Sequence, residues 1–265
     1  MKKIIALLIL GLVTMTQFSQ AATEKRTSKT FVSIENNCSI DIIIRQSDSY
    51  KIEVIAPEKY LNKIETKVVA NTLIVDVHGN IYSTEDFEIR IDAVNINEIV
   101  LNGSGDCEMD GQFTGESLSL ELNGSGDFEG HLNMKDVEVS LRGSGDAELS
   151  GVNGSLDITQ KGSGDFEGKE LYLGNSYFIM NGSGDIEVSG SSAMMELTQN
   201  SSGDFDGRSF KVQTAKITKT SSGEADVFIT DKVDAKISGS GDLTIKGNPD
   251  MTNFSATGSG DIRSI

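Results

Sequence analysis

The chain contains no tryptophan, two prolines, two cysteines and two histidines in 265 residues. His and Cys show no metal-ligand spacing. His78 and His131 stand alone in the sequence and read as surface residues, not as a base or a ligand. Basic residues are also short: 23 Lys and Arg face 40 Asp and Glu, a formal net charge of −17. Nucleic acid and anionic membranes would be repelled by such a surface. Cations, neutral sugars and basic protein patches are compatible with it. Long apolar runs are missing after the N-terminus, so no later segment is expected to span a membrane. Disorder is excluded in turn, because 37% of the residues are hydrophobic. The 28 glycines with so little proline point to many tight corners within ordered β-structure.

The N-terminus has the form of a secretory signal. Lys2 and Lys3 form the basic segment, Ile4 to Val13 the apolar segment, and Ser19-Gln20-Ala21 the small-x-small site. Cleavage after Ala21 removes two lysines and no acid, taking the charge from −17 to −19. No cysteine directly follows the apolar segment at the cleavage site, so a lipid anchor is not expected. The expected destination is the periplasm, the cell surface or the medium. Export permits disulfides. Cys38 and Cys107, both in phase with apolar neighbours, read either as one bridge or as two buried free thiols.

The dominant signal is an internal repeat. Gly-Ser-Gly-Asp, or a close variant, begins at 103, 124, 143, 162, 182, 201, 221, 239 and 258. Around each tetrad the residues alternate with period two. Leu118, Leu120 and Leu122 share a parity with Gly124, Gly126 and Phe128. Both glycines therefore face inward, and Ser and Asp outward. The expected reason is a sharp inward bend at the second glycine, where a side chain has no room and unusual dihedrals are needed.

The stretch between bends is too short for a helix. The fold class expected is all-β: a parallel β-helix-like solenoid with ~19-20-residue coils over 99–265, preceded by an irregular β-rich region over 22–98. In that region Phe31–Ile34, Ile40–Arg45, Tyr50–Ile55, Leu73–Val77 and Phe87–Ile91 read as strands, Ala70-Asn71 as a hairpin turn, and Pro57 to Leu61 as one helical turn. It caps or extends the solenoid. Phe128, Phe166 and Phe205 recur in alternate units, with Cys107, Ala147 and Ile186 between. This allows one unit per coil with large and small residues interleaved, which we adopt, or two units per coil with Phe stacked on Phe. Gln160 and Lys219 fall on the inward parity, and Lys219 reads as a local register break.

Two segments carry a family resemblance: Ile43-Ile44-Arg45-Gln46-Ser47-Asp48-Ser49-Tyr50-Lys51-Ile52-Glu53-Val54, and Ile99-Val100-Leu101-Asn102 leading into the tetrads. With them the chain resembles the head GIN domain family of auto-transporter adhesins over most of its length. The resemblance implies a β-helix-like fold, export and adhesion. The sequence stops at Ile265, four residues past Asp261, leaving no room for a membrane barrel, so an ordinary signal-peptide route is expected.

The chemistry most open to a function is a double acidic column. Asp127, Asp146, Asp165 and Asp185 close four successive tetrads, and Glu129, Glu148, Glu167 and Glu187 follow two residues later on the same face. Stacked coils would set equivalent carboxylates about 4.8 Å apart. One reading is a cation site, with Ca²⁺ held by oxygen ligands. The other is a solvated face whose Asp and Ser side chains bond to corner amides while salt screens the rest. No catalytic residue is expected. The serine column repeats nine times, whereas a nucleophile is needed once, and no nucleophile elbow is present. A non-enzymatic surface-, glycan- or protein-binding role is the leading reading. A calcium-dependent structural protein and a β-helix polysaccharide-active enzyme are the alternatives. Mass spectrometry of the exported protein should find Ala22 as the first residue, and a chain retaining residues 1–21 would refute the leader.

Overall fold

A computed structural model describes residues 21–82 and 87–265, so the expected leader lies outside the described residues except for Ala21. In the N-terminal third the strands are β1 (Ala21–Arg26), β2 (Ser33–Asn36), β3 (Asp41–Gln46), β4 (Lys51–Pro57), β5 (Ile64–Val69), β6 (Thr72–Val77), β7 (Glu88–Ala93) and β8 (Glu98–Leu101). Long strands follow: β9 (Cys107–Leu122), β10 (Phe128–Leu141), β11 (Ala147–Gln160), β12 (Phe166–Met180), β13 (Ile186–Gln199), β14 (Phe205–Lys219) and β15 (Ala225–Gly239). Three shorter ones, β16 (Leu243–Lys246), β17 (Asp250–Gly258) and β18 (Ile262–Ser264), end the chain.

β9 to β15 stack in parallel, each one coil above the last. Cys107, Phe128, Ala147, Phe166, Ile186, Phe205 and Ala225 occupy one register column. One tetrad unit therefore makes one coil. The alternation has a packing cause. Two positions on, the column reads Met109, Gly130, Leu149, Gly168, Val188, Gly207 and Val227. A Cβ at Gly130 would lie 2.9 Å from the Phe128 ring, and one at Gly168 3.0 Å from the Phe166 ring. Each phenyl ring lies across its own glycine, while the coils above and below divide the space between two side chains without a ring: Cys107 and Met109, Ala147 and Leu149, Ile186 and Val188, Ala225 and Val227. Volume is conserved within each pair, as a close-packed interior requires. Phe128, Phe166 and Phe205 are buried.

Register shifts interrupt every long strand about midway, as between Ser150 and Ser155 or Gly168 and Leu171. They divide each coil into a straight face after its tetrad and a straight face before the next.

The N-terminal region both extends and caps this stack. β2 pairs in parallel with β6 and β8, and β3 with β7 and β9. The β2/β3 coil is thus sandwiched between β6/β7, which follow it in sequence, and β8/β9. β4 runs antiparallel to β7 and β5 antiparallel to β6, and β1 covers the outer edge of β4. Reversing the strand direction closes the end of the solenoid against further parallel addition. The hairpin turn falls at Ala70 and Asn71, both with positive φ (49° and 67°), the twist-matched turn for a two-residue connection. The helical turn is a 3-10 segment, Glu58–Lys63, after Pro57. β1 and β5 escaped the sequence reading because their exposed sides carry Thr, Glu, Lys and Arg, which blur the alternation.

The tetrad glycines are required for a different reason from the one expected. None of the second glycines has a positive φ. Instead, a Cβ on Gly126 would sit 2.1 Å from the carbonyl oxygen of Gly105, and one on Gly164 1.9 Å from that of Gly145. The missing side chain would point along the solenoid axis into the backbone of the coil below. The lowest corner supports this. There Cys38-Ser39-Ile40-Asp41 lies directly beneath Gly103-Ser104-Gly105-Asp106, with side chains where the glycines would be.

Cys38 and Cys107 are both free thiols, so the bridge is not formed. Burial pushes the Cys107 thiol far above its usual range, making it a small hydrophobe. Lys219 keeps the register, between Gln199 and Ile237, and is not a break. It is buried, with Nζ 3.2 Å from Ser221 Oγ. Burial lowers its pKa, and Asp204, Asp242 and Glu224 oppose the shift. Gln160 and Gln199 share its column and donate across the corner to the carbonyls of Gly164 (2.7 Å) and Gly203 (2.8 Å).

Replacing Gly164 by Ala or Val should lower the melting temperature by far more than a surface change, at a cost above about 3 kcal/mol, because backbone cannot yield as a side chain can. A near-native thermal melt for either variant would contradict the axial-contact account.

Candidate functional site

The tetrad aspartates form a hydrogen-bonded ladder along the solenoid. In each rung an Asp Oδ1 accepts the backbone N–H of the aspartate one coil above. Asp41 receives Asp106 (3.0 Å), Asp106 receives Asp127 (2.9 Å) and Asp127 receives Asp146 (2.8 Å). Asp146 then receives Asp165 (2.7 Å), Asp165 receives Asp185 (2.7 Å), Asp185 receives Asp204 (2.8 Å) and Asp204 receives Glu224 (2.6 Å). The run stops at Glu224, the one tetrad that ends in Glu, and resumes with Asp242 receiving Asp261 (2.9 Å). Asp reaches the amide because its carboxylate is one methylene from the backbone, as in an Asx turn. The contact is also charge-assisted.

Asp41 was missed in the sequence because its corner lacks both glycines. Its signal was present: Asn37-x-Ser39-x-Asp41 repeats the polar half of Asn102-x-Ser104-x-Asp106. The two asparagines are stacked, with Asn102 Nδ2 donating to Asn37 Oδ1 at 2.7 Å, and Asn123 Nδ2 donates in turn to Asn102 Oδ1 at 2.9 Å.

Glu129, Glu148, Glu167 and Glu187 form the second column, in register with one another. The Asp and Glu columns of the lower coils, from Asp106 to Glu167, line a groove of about 500 Å³ with Cys107, Phe128 and Ala147 between them. Bases intervene in this face. Lys169 bridges Glu148 (2.6 Å) and Glu167 (2.9 Å), and both contacts raise its pKa. Arg208 pairs with Asp206 and approaches Asp226 at 3.8 Å, holding Asp206 below the usual carboxylate range. Arg263 pairs with Asp242 at 2.9 Å. Glu108 and Glu129 have no such ion pair among the described residues. Among the described residues no group of three or more His, Cys, Asp or Glu side chains is placed to hold a metal ion.

His131 is the middle rung of a polar column on the same side. Its Nδ1 lies 2.8 Å from Ser150 Oγ and its Nε2 3.2 Å from Gln112 Nε2, in an exposed setting.

Asp146→Ala should destabilise the protein by about 1 kcal/mol by removing the acceptor for Asp165, while Asp146→Asn, which keeps an oxygen there, should retain most of that stability. Glu224→Asp should raise the melting temperature by completing the ladder. Equal melts for the Ala and Asn variants would show that the ladder contributes nothing.

The comparisons with known proteins agree with this architecture. A structure from Parabacteroides distasonis described as a putative adhesin is 20% identical, covers 94% of this chain and 98% of its own, and has a TM-score of 0.66. One from Parabacteroides merdae, also described as a putative adhesin, is 21% identical, covers 94% and 97%, and has a TM-score of 0.64. A third, described as a putative lipid binding protein from Parabacteroides distasonis, is 19% identical, covers 94% and 98%, and has a TM-score of 0.58. At these identities the likeness is one of fold. No curated protein matches the chain. The profile described as putative auto-transporter adhesin, head GIN domain, matches residues 30–177 and 175–249, and the chain belongs to that family.

Proposed function

We propose that the chain is an exported, non-enzymatic adhesin that docks cationic segments of a surface partner in the acidic groove. The observation carrying this reading is the groove's charge. In its lower half the groove is lined by Asp106, Glu108, Asp127 and Glu129, none of which has an ion pair among the described residues, and the groove spans four coils. Each Asp commits one oxygen to the ladder, so the second oxygen remains available to a ligand, together with Glu108 and Glu129, while Lys169 already bridges Glu148 and Glu167. A run of Lys or Arg side chains meets this with steering at long range and charge-assisted hydrogen bonds at contact. Family membership supports export and a surface role. Among the described residues no helix is long and apolar enough to cross a membrane. The repetition of one polar pattern along the face supports binding over catalysis, since chemistry needs a singular arrangement.

The test is binding of an octalysine peptide, with octaglutamate as control. Octalysine should bind with an affinity that falls steeply as NaCl rises. The combined variant Glu108→Gln, Glu129→Gln, Glu148→Gln should weaken it at least about tenfold. A melting shift specific to Ca²⁺ at matched ionic strength, together with no octalysine binding, would overturn this reading in favour of a calcium-dependent structural protein.

A further inference from the structure

The face that precedes each tetrad carries a second set of columns, unrelated to the acidic groove. In one, Ser119, Glu138, Asp157, Tyr177, Glu196 and Lys216 stack rung upon rung. Beside it, Asp136, Ser155, Asn175, Met194 and Thr214 stack in the same register. Two shallow depressions open along these columns. The lower, of about 250 Å³, is lined by Ser117, Asp136, Glu138, Ser155 and Asp157. The upper, of about 220 Å³, is lined by Met194, Glu196, Thr214, Lys216 and Asp234. The rung between them is Asn175 and Tyr177, which carries no charge. Next to it Ile179 is 41% exposed, and Met194 one coil above is 39% exposed. The two depressions and the tyrosine thus form one track parallel to the solenoid axis.

We propose that this track binds a linear polysaccharide of uncharged sugars, with Tyr177 as its central platform. A pyranose presents an apolar C–H face, which suits an aromatic ring with a polar tip, and a rim of hydroxyls. Carboxylates are pure acceptors and serine and threonine hydroxyls are both donors and acceptors, so Asp136, Asp157, Ser155 and Thr214 match that rim. Burial, with Glu138 and Asp136 adding to it, raises the Asp157 pKa. Period also favours sugar. Rungs recur about every 4.8 Å along the axis, close to the advance of one pyranose in an extended chain, whereas an extended peptide advances about 3.4 Å per residue and falls out of step. The net charge of −17 and the carboxylates of the lower depression disfavour an acidic polymer.

Isothermal titration with cellohexaose and chitohexaose, and with hexagalacturonate as the anionic control, tests the assignment. At least one neutral hexamer should bind with a Kd of about millimolar or tighter, and hexagalacturonate should not. Tyr177→Ala should weaken that binding about tenfold, and Tyr177→Phe, which keeps the ring, should preserve it. Circular dichroism establishes that the variants fold, and Asp157→Asn serves as an independent probe should Tyr177→Ala fail to fold. The Glu108, Glu129 and Glu148 variant on the other face should bind the hexamer as the parent does, which separates this site from the acidic groove. Failure of both neutral hexamers to bind, a preference for hexagalacturonate, or affinity unchanged by both Tyr177→Ala and Asp157→Asn would overturn the proposal.

Discussion

Backbone meets backbone at the tetrad corner of every coil. With Gly126 over Gly105 and Gly164 over Gly145, a carbonyl oxygen occupies the space a Cβ would need. Much else follows from this approach. It keeps the coils in register, since a slip of one residue would bring Ser or Asp over a glycine carbonyl, where its Cβ has no room. It draws the next residue close enough for its carboxylate to reach the amide above, so the aspartate ladder is a consequence of the glycine stack. The lowest corner, Cys38-Ser39-Ile40-Asp41, keeps the ladder's acceptor but not the glycines, and so separates the two requirements.

The core obeys the same axial logic. Because coils are stacked in register, each inward position faces the same position above and below. A column of identical phenyl rings would leave gaps beside them, whereas Phe and Gly in one coil against Ala and Leu in the next fill the layer evenly. The alternation that suggested a double repeat is therefore a packing rule between neighbouring coils. The polar side chains Gln160, Gln199 and Lys219 occupy a corner column where backbone carbonyls can receive their N–H groups, which makes their burial tolerable.

Charge is handled by position along the chain. One oxygen of each ladder aspartate is neutralised in effect by a peptide N–H, which lets like charges stack at coil spacing without a counterion at every rung. Higher in the stack Lys169, Arg208 and Arg263 pair with neighbouring acids, so the unrelieved carboxylates concentrate at the lower coils and define the groove. The opposite straight face loses its charge at Asn175 and Tyr177 and gathers hydroxyls and an aromatic ring instead.

Period-two alternation about a nine-fold tetrad was enough to read the all-β solenoid, the buried phenylalanines and the outward acidic columns. These are properties of a single strand and its parity, which local sequence carries in full. The alternation left one or two units per coil open, and it aimed the glycines inward where the structure aims their missing side chains along the axis. What the tertiary structure decided concerns relations between coils. The stacking order of the N-terminal strands, with β6 and β7 beneath a coil that precedes them, depends on a chain reversal that leaves no periodic trace. The free state of Cys38 and Cys107, the reach of Asp41 to Asp106, and the bridging of Glu148 and Glu167 by Lys169 are contacts between residues far apart or on different coils. Parity tells which face a side chain takes, but only the stacking of the coils tells which partner waits there, because distance along the axis is set by how whole coils rest on one another.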